Sequence, residues 1–289
     1  MKRNRLIRGG IFLFLGLLAL GVWLPLAMIV GGSFMGASEL AGKLGPALSS
    51  EMSGSVPGFA RWSLLPDFPT LQPYVELMLD SPSFFVTFWN SVKLTGGILA
   101  GQLAVGAPAA WGFARYRFPG RRVLFFVYIA LMLLPFQVTM VSNYLVLDGL
   151  HLLDTHAGII LPAVFSTFPV FIMYRFFTGI PKEVLESAAL DGAGPWQSFL
   201  QIGVPLGGAG ILSALTLSFL EYWNLIEQPL TFLRDQTLWP LSLYLPNITA
   251  QKAGLALAAS VVTLIPPLLV FLYGQKYLEQ GIQAAGLKE

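Results

Sequence analysis

Residues 181–210 read PKEVLESAALDGAGPWQSFLQIGVPLGGAG and join two long apolar runs. Pro181 suits a helix start, because the first helical residue needs no amide donor, and Glu183 falls in the first turn, where the helix dipole favours an acid. Gly192 is placed to end that helix in the left-handed conformation, and Pro195 begins a second helix that continues into the next apolar run. We therefore predict a short surface helix, a tight turn and a second helix, which together offer a polar segment to a partner.

Apolar runs dominate the rest of the chain. Hydrophobic residues make up 55% and charged residues 11% of the 289 positions, whereas a soluble domain carries about 25% charge. Uncharged runs occupy 9–38, 94–114, 123–147, 155–174, 192–220 and 253–275. Each reaches the roughly 20 residues with which a helix crosses a bilayer, and a backbone in lipid must satisfy its own hydrogen bonds. The alternating segments of a membrane barrel are not visible, so these runs predict helices.

We predict an all-α integral membrane protein with six transmembrane helices in a single domain, 1–289. The spans cover about 9–31, 85–113, 123–145, 157–177, 201–223 and 253–276. An outer segment, 32–83, follows the first span, and a cytoplasmic segment, 178–200, lies between the fourth and fifth spans. The first apolar stretch is too long for the core of a signal peptide, so we interpret it as a retained anchor.

The placement of lysine and arginine predicts the orientation. If both termini are cytoplasmic, the inner segments hold twelve of these cations and the outer segments hold four, with Lys93 near a span mouth. The inner cations are Lys2, Arg3, Arg5, Arg8, Arg115, Arg117, Arg121, Arg122, Arg175, Lys182, Lys276 and Lys288. Cytoplasmic loops carry such an excess, so we predict that the N-terminus and the C-terminus are both cytoplasmic.

The composition also argues against several kinds of site. The chain has no cysteine, which excludes disulfides and thiolate metal sites. Its two histidines, His151 and His156, lack the carboxylate spacing typical of a metal site. A net charge of +2 does not favour nucleic acid binding. No G-x-x-x-x-G-K-[ST] segment occurs, so we predict no phosphate-binding loop and no cofactor on this chain.

The outer segment 32–83 divides into two parts. Its first part is rich in Gly, Ser and Pro, and we predict that it lacks regular structure. Residues 70–79 place Leu71, Tyr74 and Met78 at helical spacing, which predicts a short interfacial helix.

The cytoplasmic segment resembles the EAA loop of binding-protein-dependent ABC importer permeases. That loop has an E-A-A, D-G-A and I-x-L-P pattern. The matching residues here are Glu186, Ala188, Ala189, Asp191, Gly192, Ala193, Ile202 and Pro205. Ser187 replaces the first alanine of the pattern. The resemblance implies that 178–200 is a coupling loop whose helix contacts an ATPase through Glu186, Ser187, Ala188, Ala189, Asp191, Gly192 and Ala193.

Other segments are similar to the carbohydrate-uptake, maltose-transporter branch of that family. These are DFPTLQPY at 67–74, NSVKLT at 90–95, YLVLDGLHLLDTHAGIILP at 144–162, WNLIEQPL at 223–230 and the C-terminal segment from about 255. The outer segment is longer than is usual in the family. The resemblance implies the type I ABC importer permease fold and a place in the bacterial inner, or plasma, membrane. It also implies a second permease subunit, two ATPase subunits, an extracytoplasmic sugar-binding protein and a sugar as cargo. ATP hydrolysis would then occur on the separate ATPase chain, and this chain would not be an enzyme.

Polar residues near the spans are candidates for the translocation path. They are Glu221, Tyr222, Asn224, Gln137 and Asn143. Ionisable and polar groups near membrane depth are functional candidates, since they are costly there. Aromatic residues near span ends also belong to the interfacial belt, and amides also make simple interhelix hydrogen bonds. Both readings stay open at this point.

Two other functions compete with an importer permease. A self-sufficient secondary transporter of a small polar solute would show repeated halves and intramembrane acids for ion coupling. The predicted span interiors hold almost no ionisable residue, and no repeat is visible. An intramembrane enzyme would need a nucleophile with its base, or metal ligands, and no such set occurs. The permease interpretation therefore fits the residues best.

Overall fold

The regular structure of the chain is helical. A computed structural model describes residues 2–48, 59–61, 63–244 and 252–286. Within those ranges the helices are α1 Lys2–Gly32, α2 Ala37–Leu48, α3 Gln72–Leu79, α4 Pro82–Gly101, α5 Ala107–Arg115, α6 Arg121–Met132, α7 Phe136–Gly149, α8 His156–Val164, α9 Thr167–Gly179, α10 Lys182–Leu190, α11 Pro195–Gln197, α12 Val204–Leu206, α13 Gly208–Trp223, α14 Glu227–Phe232 and α15 Ala253–Gly286. Short 3-10 turns follow at Gln236–Leu238 and Leu241–Leu243. The prediction of an all-α protein is confirmed.

Four helical stretches are long and apolar enough to cross a membrane. They are Gly10–Gly32, Pro82–Arg115, His156–Gly179 and Ala253–Glu279. Two bent pairs also qualify, namely Arg121–Met132 with Phe136–Gly149 and Pro195–Leu206 with Gly208–Trp223. The described part of the chain thus offers four spans, or up to six if each bent pair crosses once. The six-span count and the cytoplasmic placement of both termini stay predictions.

The two bends fall inside regions that the sequence analysis treated as single runs. The first pair is bent by 106° at the break before α7, where Pro135 is the last residue outside the helix, because proline disfavours helical conformation in the residue before it. The second pair is bent by 72° at Gly207. A side chain at Gly207 would collide with the Phe177 ring, so only glycine lets the chain turn against that ring. Residues 201–206 accordingly continue the helical segment that starts at Pro195.

Two π-helical turns interrupt the long helices. They span Gln102–Gly106 and Ser198–Gly203. Pro108 and Pro205 follow them, and a proline ring crowds the carbonyl four residues earlier. In both cases that carbonyl belongs to the π-helical turn, so the wider turn accommodates the ring. Such turns are frequent at functional sites.

The chain forms two compact units. The first comprises Met1–Phe85 and Leu245–Ile265, and the second comprises Val86–Tyr244 and Pro266–Glu289. The prediction of one membrane domain over 1–289 stays a prediction.

In the first unit, the described part of the outer segment contains a helix that was not predicted from the sequence. Helix α2 corrects the expectation that the beginning of this segment lacks regular structure. The Lys43 ammonium lies 2.6 Å from a Glu39 carboxylate oxygen and 2.9 Å from Asp67. Glu39 also accepts the Asp67 amide at 2.9 Å. The helix predicted over 70–79 is confirmed as α3, while its interfacial position stays a prediction; residues 49–58 and 62 lie outside the described residues.

The second unit has two buried cores. One is the aromatic cluster of Trp111, Phe177 and Phe199, with ring centroids 5.3 Å apart for Trp111–Phe177 and 5.9 Å for Trp111–Phe199. Gly203 allows this packing, since an added Cβ would lie 2.8 Å from the Trp111 ring. The other core lies around Leu94, Ile98, Leu147, Ile159, Tyr222 and Phe232.

Candidate functional site

The segment 178–200 folds as a short helix that ends in a left-handed turn. Helix α10 begins at Lys182, so Pro181 is the residue directly before the helix and not its first residue. At its end, Gly192 adopts φ +81°. The Ala193 amide donates to the Ala188 carbonyl at 2.9 Å and so closes the turn. The predicted helix and its glycine cap are therefore confirmed as geometry, while the coupling role of these residues stays a prediction.

One face of α10 is anchored and the other is exposed. Leu185 is half-buried against the aromatic cluster. The predicted coupling residues lie together along the helix and turn. Glu186, Ser187, Ala189, Asp191 and Gly192 are exposed, whereas Ala188 and Ala193 are half-buried.

Leu190 is an exposed residue of this face that the sequence analysis passed over. Its side chain is 90% exposed, although it is large and apolar. The signal available in the sequence was a large apolar residue directly before Asp191, at the end of the predicted helix. Such a side chain outside the predicted spans is suited to contact with another protein.

Arg115 holds the point where the chain enters this segment. Its guanidinium donates to the Ile180 carbonyl at 2.7 Å and also to the Phe177 carbonyl. It lies over the Trp111 ring, 5.4 Å from the centroid. A cation at a helix C-terminus is favoured by the helix dipole, and these carbonyls belong to the end of α9. In the sequence, Arg115 was visible only as a topology signal, and this contact was not predicted.

A cavity of about 470 Å³ lies in the second unit. Its polar lining comes from Thr139, Asn143, Ser166, Thr167, Glu221, Tyr222 and Gln228. The cavity adjoins three interruptions in the helices, at 133–135, 165–166 and 224–226. Non-helical backbone at membrane depth is tolerated where it lines a cavity. The three helix breaks therefore fit the presence of the cavity that they adjoin.

The predicted path residues separate into two groups. Asn143, Glu221 and Tyr222 all line the cavity, where Tyr222 is only 7% exposed. Gln137 instead donates to the Glu227 carboxylate at 2.7 Å, and Asn224 donates to the Leu220 carbonyl at 2.9 Å. Neither of these two residues lines the cavity. The part in transport of all five residues stays a prediction.

Two lining residues could have been found from the sequence. Thr139 lies four residues before Asn143 on α7, and its hydroxyl accepts from the Asn143 amide at 3.4 Å. Residues four apart share a helix face, so the pair was visible as a spacing. Gln228 lies within the stretch WNLIEQPL, which carries part of the family resemblance.

Hydrogen bonds tie two loops together at the end of the second unit that holds α14. Asp154, with φ 58°, accepts the amides of Arg234 and Asp235, each at 2.9 Å. The His156 ring lies 3.2 Å from the Leu238 carbonyl. Hydrogen bonding from Thr237 lowers the pKa of Asp235. Among the residues that the structure describes, no three His, Cys, Asp or Glu side chains are grouped to hold a metal.

Comparison with known proteins places this geometry in a family context. Residues 102–284 match the family described as binding-protein-dependent transport system inner membrane component. The diacetylchitobiose uptake system permease protein NgcG of Streptomyces coelicolor is 31% identical over 75% of this chain and 74% of its own length. The arabinooligosaccharides transport system permease protein AraQ of Bacillus subtilis is 28% identical over 96% of this chain and 94% of its own.

A solved structure shares the fold. It is the crystal structure of a bacterial ABC transporter involved in the import of the acidic polysaccharide alginate. One of its chains superposes with a TM-score of 0.79 at 23% identity, covering 96% of this chain and 98% of that one. The predicted type I importer permease fold is therefore confirmed.

Proposed function

We propose that this chain is one of two permease subunits of an ATP-driven carbohydrate importer. The chain belongs to the family of binding-protein-dependent transport system inner membrane components. It is a permease of the inner membrane and a transport component rather than an enzyme. A second, similar permease completes the path, two ATPase subunits hydrolyse ATP, and an extracytoplasmic binding protein delivers the sugar.

The observation that carries this proposal is the presentation of α10. Arg115 and Leu185 attach the helix to the body of the second unit. Glu186, Leu190 and Asp191 are left exposed on this short helix and its turn. An element that is fixed on one side and exposed on the other can receive a displacement from a bound partner and pass it on.

Helix α9 offers a direct route from that element to the cavity. It runs over Thr167–Gly179, which is about 20 Å at 1.5 Å per residue. Thr167 lines the cavity at one end, and the Phe177 carbonyl binds Arg115 at the other. Closure of the ATPases moves α10, α9 follows, and the cavity wall shifts. This describes a two-state element whose equilibrium a distant ligand biases.

The lining of the cavity favours a neutral sugar as cargo. Amide, hydroxyl and carboxylate groups of Asn143, Thr139 and Glu221 suit sugar hydroxyls, and Tyr222 adds an aromatic ring. Lys and Arg are absent from the cavity lining, so an anionic solute would meet the Glu221 carboxylate without a counter-charge. The names of the two relatives give arabino-oligosaccharides and diacetylchitobiose as their cargo.

Uptake into proteoliposomes tests the proposal. The chain is co-expressed with its genomic neighbours, purified with the subunits that it retains, and reconstituted with ATP inside and the binding protein outside. We expect uptake of labelled neutral oligosaccharide that requires both ATP and binding protein. Uptake by the chain alone, driven by an ion gradient, would instead show a secondary transporter.

A further inference from the structure

A basic pocket lies in the turn between α5 and α6. It has a volume of about 830 Å³. Its lining residues are Arg117, Phe118, Gly120, Arg121, Arg122, Val123, Phe125 and Tyr174. Phe125 and Tyr174 form one wall, with ring centroids 4.2 Å apart. The pocket therefore combines three guanidinium groups with aromatic surface, and no carboxylate lines it.

The three arginines lack a counter-charge in the described part of the chain. The ion pairs found there both belong to Lys43, so no carboxylate oxygen lies within 4.0 Å of Arg117, Arg121 or Arg122. Arg121 makes one long contact, 3.4 Å, to the Tyr116 carbonyl. Three like charges around one space repel each other. An anion seated between them relieves that repulsion.

An apolar surface continues from the pocket along α6. Val123 is 67% and Phe126 is 70% exposed, and Leu124 and Val127 are exposed beside them. This helix begins the predicted third span. An occupant that uses both surfaces has an anionic head and an apolar chain, which a free phosphate ion lacks.

We propose that this pocket binds an anionic phospholipid, with its phosphate among Arg117, Arg121 and Arg122 and an acyl chain along α6. Guanidinium groups bind phosphate oxygens in a bidentate manner, and basic pockets between membrane helices bind anionic headgroups. A zwitterionic lipid carries a cation that the arginines repel. This site goes beyond transport of the sugar, and it uses residues that neither the coupling loop nor the cavity uses.

The bound lipid also touches the helix that carries the coupling loop. Tyr174 lies one turn before Phe177 on α9, and the Phe177 carbonyl is a partner of Arg115. A lipid bound in the pocket would therefore contact α9 near the end that leads into α10.

Native mass spectrometry of the complete purified complex tests the site. The detergent-solubilised complex is delipidated and titrated with dioleoyl phosphatidylglycerol, with phosphatidylcholine as the control lipid. We expect tighter binding of phosphatidylglycerol. Each arginine near an anionic surface contributes about a fivefold change in affinity. Arg117→Gln should therefore weaken binding about fivefold, and the double variant Arg117→Gln with Arg122→Gln should weaken it about twenty-five-fold.

Lys276→Gln is the matched control, because it removes a predicted inner cation outside the pocket. It should retain the parent affinity. The single Arg117 variant keeps two of the three arginines. It therefore still tests the site if the double variant fails to insert into the membrane. Equal binding of the two lipids, unchanged affinity in both arginine variants, or full displacement by inorganic phosphate would overturn the proposal. So would an assembled complex in which the partner permease covers the pocket and no phosphatidylglycerol binds.

Discussion

Gly192 shows how a single residue fixes the shape of the coupling loop. It holds φ +81°, yet an added Cβ would meet no atom within 4 Å. Space is therefore not the constraint, and the backbone conformation alone requires glycine. Residues other than glycine pay roughly 1–2 kcal/mol in this conformation, and a β-branched residue is a genuine outlier there.

We predict that Gly192→Val abolishes sugar uptake while the protein still reaches the membrane. The valine forces the turn into another conformation and displaces Asp191 from its place. Uptake assays and membrane immunoblots measure the two effects. Gly112→Val is the control, since Gly112 also has open space around its Cα but lacks a positive φ. Normal uptake by the Gly192 variant would contradict a role for the turn.

We predict that Glu186→Lys reduces the yield of ATPase that copurifies with this chain. Glu186 is exposed on the free face of α10, where a charge reversal repels a basic partner surface. Glu76→Lys makes the same change in charge at an exposed position on α3, outside this loop, and serves as the control. Quantified pull-downs from detergent should show at least a several-fold loss for Glu186 alone. Equal yields for both variants would argue that Glu186 does not orient the ATPase.

The polar residues near the predicted spans identified only some of the side chains that line the cavity. Asn143, Glu221 and Tyr222 converge on it, as their polarity near the predicted spans suggested. Gln137 and Asn224 do not line it, because each finds a nearby hydrogen-bond partner on its own or an adjacent helix. Polarity alone does not reveal which partner a side chain takes.

At the scale of helices, Arg115 joins two elements that are far apart in sequence. Arg115 and its partner Ile180 are 65 positions apart. This contact can be predicted only if the ends of α5 and α9 are already known to lie side by side. The bends at 133–135 and Gly207 were equally hidden, although Pro135 and Gly207 were visible as residues that interrupt helices. Composition located the apolar runs, and packing decided where they break.

We predict that Arg115→Gln loosens the coupling loop without removing it. Hydrogen bonds to a charged group contribute about 1.5–3 kcal/mol each, and the variant weakens those to Phe177 and Ile180. Hydrogen–deuterium exchange over 181–194 should be faster, and ATP hydrolysis should respond less to sugar-loaded binding protein. Arg175→Gln on α9 is the control, because no side-chain hydrogen bond of Arg175 is found in the described residues. Unchanged exchange in the Arg115 variant would exclude this positioning role.

The outer segment gives a prediction on pH. Burial acts to raise the pKa of Glu39, but hydrogen bonds from Lys43 and from the amides of Asp67 and Phe68 outweigh it, so the pKa lies below its usual 4.5. A carboxylate with a lowered pKa stabilises the fold above its unfolded pKa and loses that contribution as the pH falls through the folded pKa. Amide protection at Asp67 and Phe68, corrected for intrinsic exchange, should hold from pH 7 to 5 and fall below pH 4.5.

Glu39→Gln should lower this protection at pH 7 and remove its pH dependence. Glu76→Gln changes an exposed acid on α3 and should leave the profile unchanged. A profile that stays flat down to pH 3 in the parent protein would show that Glu39 does not hold the segment. This arrangement was not visible from the residues alone, because Glu39 and Asp67 are separated by residues rich in Gly, Ser and Pro.

For the whole molecule, composition was sufficient to predict the class of protein. The segment 178–200 was sufficient to suggest the family. The apolar runs predicted a helical membrane protein, and the pattern around Asp191 predicted an importer permease. Because the chain lacks a phosphate-binding loop, we predict that the purified chain alone hydrolyses no ATP. Phosphate release above the level of a mock purification would contradict this.

Cross-linking at the coupling loop tests the central claim most directly. The chain has no cysteine, so Ser187→Cys introduces a single reactive thiol on the exposed face of α10, and Gln236→Cys introduces one in the loop beyond α14. In the assembled, transport-active complex, a short maleimide–benzophenone reagent attached to the thiol of Ser187→Cys should photo-crosslink to the ATPase through C–H insertion, with a yield that changes when ATP and loaded binding protein are added. Gln236→Cys should give no such product. An active complex in which position 187 never links to the ATPase, or in which position 236 does, would contradict the account.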